Sequence, residues 1–120
     1  MADKLEDIFE KQRAFNESIK ESRNLQGITR DEWLQKQTIA MLSEMAEVLN
    51  EINFKWWKNE KQVNEDALKE ELIDVLHFFI SMCLTAGMDA QELYQRYLTK
   101  NAVNFDRQQG MTDKEGYKLR

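Results

Sequence analysis

The sequence predicts an all-α domain with a compact four-helix bundle-like core, and three observations carry that expectation. The 120 residues include no proline and only four glycines. An all-β architecture, a collagen-like repeat or a low-complexity linker needs far more turn residues than that. Apolar residues make up 42% of the chain, enough to bury a core at this length. They also recur three and four positions apart between recognisable capping signatures. The length suits one domain over residues 1–120, and there is no internal repeat.

Each element has its own warrant. The first helix is expected from about Asp3 to Arg23, on the spacing of Leu5, Ile8, Phe9, Phe15 and Ile19. Asn24 to Ile28, containing Gly27, closes it. Thr29 with Glu32 forms a capping box, which predicts a long second helix running to about Trp57. The polar stretch Lys58 to Glu65 makes the next turn. A third helix follows from about Asp66 to Ala86, with Gly87 as the left-handed residue after it. Asp89 with Glu92 is a second capping signature, opening a fourth helix to about Gln109. Gly110 ends that helix, and residues 111–120 read as a loosely held tail.

Charge narrows the function classes. Seventeen basic against 22 acidic residues give a net charge of −5 and a pI near 5.0, which argues against a nucleic-acid polymer as partner. From Arg96 onward, however, six basic residues face only three acids, so an acidic body carries a basic end. Cys83 is the only cysteine, so no intrachain disulfide forms, and its apolar neighbours mark it as a core thiol. The N-terminal residues have no apolar signal region. The apolar run Val75 to Leu84 is too short to span a bilayer. A cytoplasmic protein without membrane contact is the expectation.

The acids fall in a pattern. On a helical wheel Glu44, Glu47 and Glu51 form a stripe beside the apolar face of Met41, Met45, Val48, Leu49 and Ile52. On the third helix Glu71 shares a stripe with Leu68, Val75, Phe78 and Met82, with Asp74 at its side. Carboxylates aimed at an apolar interior are costly unless paired or bound to a cation. Two acid pairs on neighbouring antiparallel helices would place four acids around one point. Oxygen ligands of this kind suit Mg2+, with Mn2+ as a substitute. His77 follows Asp74 by three residues, but a carboxylate-bundle di-iron site wants a second such histidine, and the chain has one. His77 is therefore read as structural or supporting.

Glu44-x-x-Glu47, twenty-three residues, then Glu71-x-x-Asp74 resembles the signature of the all-α nucleoside triphosphate pyrophosphohydrolases, the superfamily of MazG-like enzymes and dimeric dUTPases. Three further stretches are similar to the dimeric dUTPase branch. They are Phe9 to Asn16 with Gln12, then Phe54-Lys55-Trp56-Trp57-Lys58, then Lys100 to Gln108 with Asn104 and Arg107. The resemblance implies Mg2+-dependent hydrolysis of dUTP in a homodimer and leaves open whether dUDP is also used. It implies metal ligation by Glu44, Glu47, Glu71 and Asp74, with Glu44 and Glu47 also catalytic and Glu47 the residue that orients or deprotonates water. Gln12, Asn16 and Trp57 would contact base and sugar, and Lys58, Lys100, Asn104 and Arg107 the phosphates. At least one of Trp56 and Trp57 is expected in the core. Many MazG-like relatives carry an acid just before the first glutamate, where this chain has Ser43. The chain is also shorter than many dimeric dUTPases, so residues from a second subunit are expected in the site, and the third helix, apolar all round, points to a homodimer.

The chemistry agrees with that expectation. A triphosphate brings about four negative charges toward an acidic body, which requires cations between carboxylate and phosphate oxygens. Two other readings fit less of the sequence. A broader dNTP pyrophosphohydrolase, acting on dCTP or modified nucleotides, would keep the four acids without needing Gln12 and Asn16. A non-enzymatic helical interaction module would leave the acids incidental.

Overall fold

Short polar side chains start three of the four helices by accepting an otherwise unpaired amide. The Thr29 hydroxyl accepts from Glu32 N–H at 3.2 Å, Asn64 Oδ1 from Ala67 N–H at 3.0 Å, and Asp89 Oδ1 from Glu92 N–H at 2.8 Å. The computed structural model describes residues 3–119, and among them it contains four helices and no strand. These are α1 (Lys4–Ser22), α2 (Arg30–Glu51), α3 (Glu65–Thr85) and α4 (Ala90–Gln108). Both capping signatures begin helices where the sequence predicted them.

The helix ends follow backbone handedness. Gly87 closes α3 at φ +89°, and the Met88 amide donates to the Cys83 carbonyl at 2.9 Å. At the end of α1 the left-handed residue is Asn24, φ +55°, three positions before Gly27. Asparagine tolerates this region better than other non-glycine residues. The end of α2 departs from expectation: it stops at Glu51, six residues short of Trp57. Ile52 is extended there, and Asn53 turns its side chain toward Lys61 across the following loop. Trp56 and Trp57 consequently lie outside the helix. They are 87% and 59% exposed, so neither is a core residue.

α2 and α3 pack side by side as an antiparallel hairpin, α1 lies against α3, and α4 touches α1. The core comprises Phe9 of α1, Ile80 and Cys83 of α3 and Ala90 of α4, flanked by Leu5, Leu76, Leu84, Met88 and Leu93. The thiol of Cys83 is buried as expected, and loss of hydration raises its pKa. Only the first turn of α4 joins this core. The helix then departs from α3 through a bend of 103°. The radius of gyration is 18.5 Å, whereas about 14 Å is usual for a compact chain of this length. A single chain is thus an opened-out arrangement of the four helices. No single helix among the described residues is long and apolar enough to cross a membrane.

Candidate active site

The α2–α3 hairpin determines which acids meet. One carboxylate oxygen from each of Glu44, Glu71 and Asp74 lies within 4.8 Å of the other two. Glu44 and Glu71 are half-buried and Asp74 is exposed. Glu71 shares its half-buried stripe with Leu68, Val75, Phe78 and Met82. Loss of hydration raises its pKa, and the negative charges of Asp74, Glu44, Glu47 and Glu51 raise it further. Glu47 is exposed and outside the converging three, although its charge still acts on Glu71. Three oxygens drawn together against their own repulsion, with no sulfur or nitrogen donor among them, fit a hard divalent cation.

Two amides of α1 and a hydroxyl of α3 form a row about two turns further along α3. Gln12 Nε2 donates to Asn16 Oδ1 at 2.9 Å, and Asn16 Nδ2 donates to Ser81 Oγ at 3.1 Å. The Ser81 hydroxyl in turn donates to the His77 carbonyl at 2.8 Å. Ser81 follows Asp74 by seven residues, so it lies on the same face of α3, about 10 Å along the axis. Gln12 is 7% exposed and Ser81 4%. The His77 ring meets Phe15 edge to face, with centroids 6.4 Å apart. Gln12, Phe15 and His77 line a largely apolar pocket of about 360 Å3 between α1 and α3. Asn16 lines a second pocket, of about 290 Å3, together with Gln37.

Sequence reading passed over Gln37 and Ser81. Gln37 is 8% exposed, and its Oε1 is sealed from solvent with no hydrogen-bond partner among the described residues. A buried unpaired carbonyl is costly. The available signal was spacing, since Gln37 precedes Glu44, and Ser81 follows Asp74, by seven residues. Each polar residue therefore shares a helix face with a carboxylate.

The loop after α2 begins seven residues, about 10 Å of helix, beyond Glu44. Asn53 Nδ2 donates to the Lys61 carbonyl at 2.8 Å, and the Lys61 amide returns a bond to Asn53 Oδ1 at 2.9 Å. Lys61 Nζ also donates to the Asn50 carbonyl at 2.6 Å, satisfying an acceptor at the end of α2. This clasp presents Trp56, Trp57 and Lys58, all exposed. By contrast, Lys100 and Asn104 are exposed and Arg107 half-exposed on α4, which has no extended packing against α2 or α3. One chain does not bring these three residues to its own carboxylates.

The geometry therefore defines an all-α protein with an acidic, oxygen-only candidate centre between the two helices of a hairpin. A family described as dUTPase matches residues 4–89, and the chain belongs to that family. It is 32% identical over 87 residues to a protein of Enterobacteria phage T4 called dCTP pyrophosphatase, covering 61% of this chain and 51% of the relative. A protein of the same name from Enterobacteria phage LZ5 is 50% identical over 46 residues, covering 37% of this chain and 27% of the relative. A phage T4 protein called DNA replication protein is 30% identical over 80 residues, 55% of this chain and 20% of the relative. The chain thus spans about half the length of the first of these relatives and less of the others. No solved structure matches it significantly.

Proposed function

We propose that this chain is a Mg2+-dependent pyrophosphohydrolase that converts dUTP and water to dUMP and pyrophosphate. The observation that carries the proposal is the convergence of Glu44, Glu71 and Asp74 within 4.8 Å in a member of the dUTPase family. These three would hold the ion, which when bound offsets phosphate charge and lowers the pKa of water; Mn2+ is its natural substitute. Glu47, outside the three but on their side of α2, is left free to orient the attacking water or accept its proton. Gln12 and Asn16 supply amides to base and sugar. Trp57 offers a stacking face and Lys58 a cation on the clasped loop. The working form is a homodimer, and a free thiol at Cys83 suits a reducing cytoplasm.

The two phage relatives called dCTP pyrophosphatase favour a second reading, in which cytosine is the preferred base. Uracil and cytosine differ at the atom where one accepts and the other donates, and an amide can meet either. Pyrophosphate release from dUTP, UTP, dCTP and dTTP in Mg2+ separates the readings. A dominant rate on dUTP is expected. A dominant rate on dCTP moves the assignment to the second reading, and no turnover of any of the four overturns the enzymatic one.

A further inference from the structure

We infer that Ser81 sets base selectivity indirectly, by fixing which way the side-chain amides of Asn16 and Gln12 face. It acts through those amides and is a positioning residue. This role rests on the pyrophosphohydrolase reading above, in which the two amides meet base and sugar, and it adds what decides between two pyrimidines.

The hydroxyl proton of Ser81 has one good acceptor. Ser81 Oγ lies 2.8 Å from the His77 carbonyl, one helical turn back, and 3.4 Å from Asn16 Oδ1. The first distance is within the usual O–H···O range and the second is outside it, so the proton goes to His77. Toward α1 the same oxygen is left with lone pairs alone, and it accepts. Asn16 meets it with an N–H, Nδ2 donating to Ser81 Oγ at 3.1 Å. Asn16 Oδ1 is thereby turned to Gln12, whose Nε2 donates to it at 2.9 Å. Orientation passes from a backbone carbonyl of α3, through one hydroxyl, to two amides of α1.

Without Ser81 the amide pair has no preferred sense. Gln12 and Asn16 are four residues apart and face each other on α1. Turning both amides over together keeps one N–H···O bond between them, with donor and acceptor exchanged. Among the described residues neither amide has a hydrogen-bond partner besides the other and Ser81. In the reversed sense the Asn16 carbonyl would face Ser81 Oγ, which could pair with it only by giving up the His77 carbonyl. One ordinary hydrogen bond separates the two senses, equivalent to about fivefold in population. Burial keeps water from making good the loss, since Gln12 is 7% exposed and Ser81 4%.

The sense of an amide is what distinguishes the two bases. Uracil presents a ring N–H beside a carbonyl where cytosine presents a bare ring nitrogen beside an amino group, so donor and acceptor are exchanged. An amide free to turn over meets either edge. One that is held pairs with a single edge and leaves an unpaired group against the other.

Selectivity measured on Ser81 variants tests this. Both kcat and KM are determined for dUTP and dCTP in Mg2+, and the two kcat/KM values are divided with the pyrimidine preferred by the wild-type protein on top. Ser81→Ala keeps a good helix former in α3 and removes the hydroxyl. The ratio should fall about fivefold through KM, with kcat on the preferred nucleotide nearly kept, because the acids are untouched. Ser81→Cys, a weak acceptor of similar size, should fall with it, and Ser81→Thr, which returns the hydroxyl, should restore the ratio. Circular dichroism checks that each variant is helical. An unchanged ratio in Ser81→Ala and Ser81→Cys overturns the inference, whether the rates hold or drop together, since a serine that merely packs would affect both nucleotides alike. Equal kcat/KM of the wild-type protein on dUTP and dCTP overturns it as well.

Calorimetric titration with dUMP and dCMP reads the same ratio from binding and needs no turnover. A wild-type chain that hydrolyses neither triphosphate sinks the functional reading, while the binding ratio and its loss in Ser81→Ala still decide the role of Ser81. A chain that binds neither monophosphate overturns that role.

Discussion

Glu71 couples the electrostatics of the site to the stability of the fold. Its pKa is raised by lost hydration and then by Asp74, Glu44, Glu47 and Glu51, so the folded chain holds this proton more tightly than the unfolded chain does. Between the ordinary carboxylate pKa and the raised one, the folded state binds more protons. The stabilising contribution is therefore complete below that window and is lost as pH rises through it. In metal-free protein, Glu71→Gln should raise the melting temperature at neutral pH and flatten this part of the pH profile. Mg2+ should stabilise the wild-type protein, and the same change should abolish that stabilisation and reduce turnover about 100-fold or more. Thermal melts at pH 4 to 8, with and without Mg2+, check both halves. A variant that melts lower than wild type at neutral pH without metal would show that Glu71 is not held against repulsion.

The loop between α2 and α3 makes the corresponding case at the scale of an element. Three hydrogen bonds link Asn50 and Asn53 to Lys61, and between those anchors stand Trp56, Trp57 and Lys58. Asn53→Ala removes the two reciprocal bonds, each contributing about 1 kcal/mol. The helices should survive, while trypsin cuts at Lys55 and Lys58 faster and KM rises with less change in kcat. Digestion and steady-state kinetics read these effects, and an unchanged digestion rate would exclude the clasp. This loop is also where sequence reading fell short. Thr29 and Asp89 announced their helices because a cap is a local bond, legible within four residues. The end of α2 was illegible because Asn53 is fixed by a residue eight positions away, beyond any periodic pattern. The acids divide in the same way: the stripes holding Glu44, Glu71 and Asp74 follow from spacing on each helix. Which three converge depends on the register of the hairpin, as does the unpaired Oε1 of Gln37. The bend at Gly87 that carries Lys100 and Arg107 away from the acids leaves no trace in helical periodicity.

At the scale of the whole molecule, the fold is unfinished in one chain. Large apolar side chains stand exposed on every helix, including Phe15 of α1, Ile39 and Leu42 of α2, Leu72 and Ile73 of α3 and Phe105 of α4. Scattered exposed apolar residues are ordinary, but rows of them on a chain that exposes 9823 Å2, about 3,000 Å2 more than a compact monomer of its mass, are not. An obligate homodimer removes on the order of 1,000–2,500 Å2 per chain, which accounts for most of the excess. Light scattering should therefore give the mass of two chains, near twice 14.3 kDa, and unfolding should shift to higher temperature with protein concentration, because dimer and fold form together. Ile39 and Leu42 are 60% and 57% exposed, so in an isolated chain replacing both with lysine would cost little. In a dimer that covers them, each lysine would bring a charge into an apolar contact, and the double variant should dissociate and melt lower. A wild-type chain that scatters as a monomer, with a melting temperature independent of concentration, would mean that the four helices close on themselves in solution, and the rows of exposed apolar residues would then have to be buried by α4 folding back on the hairpin.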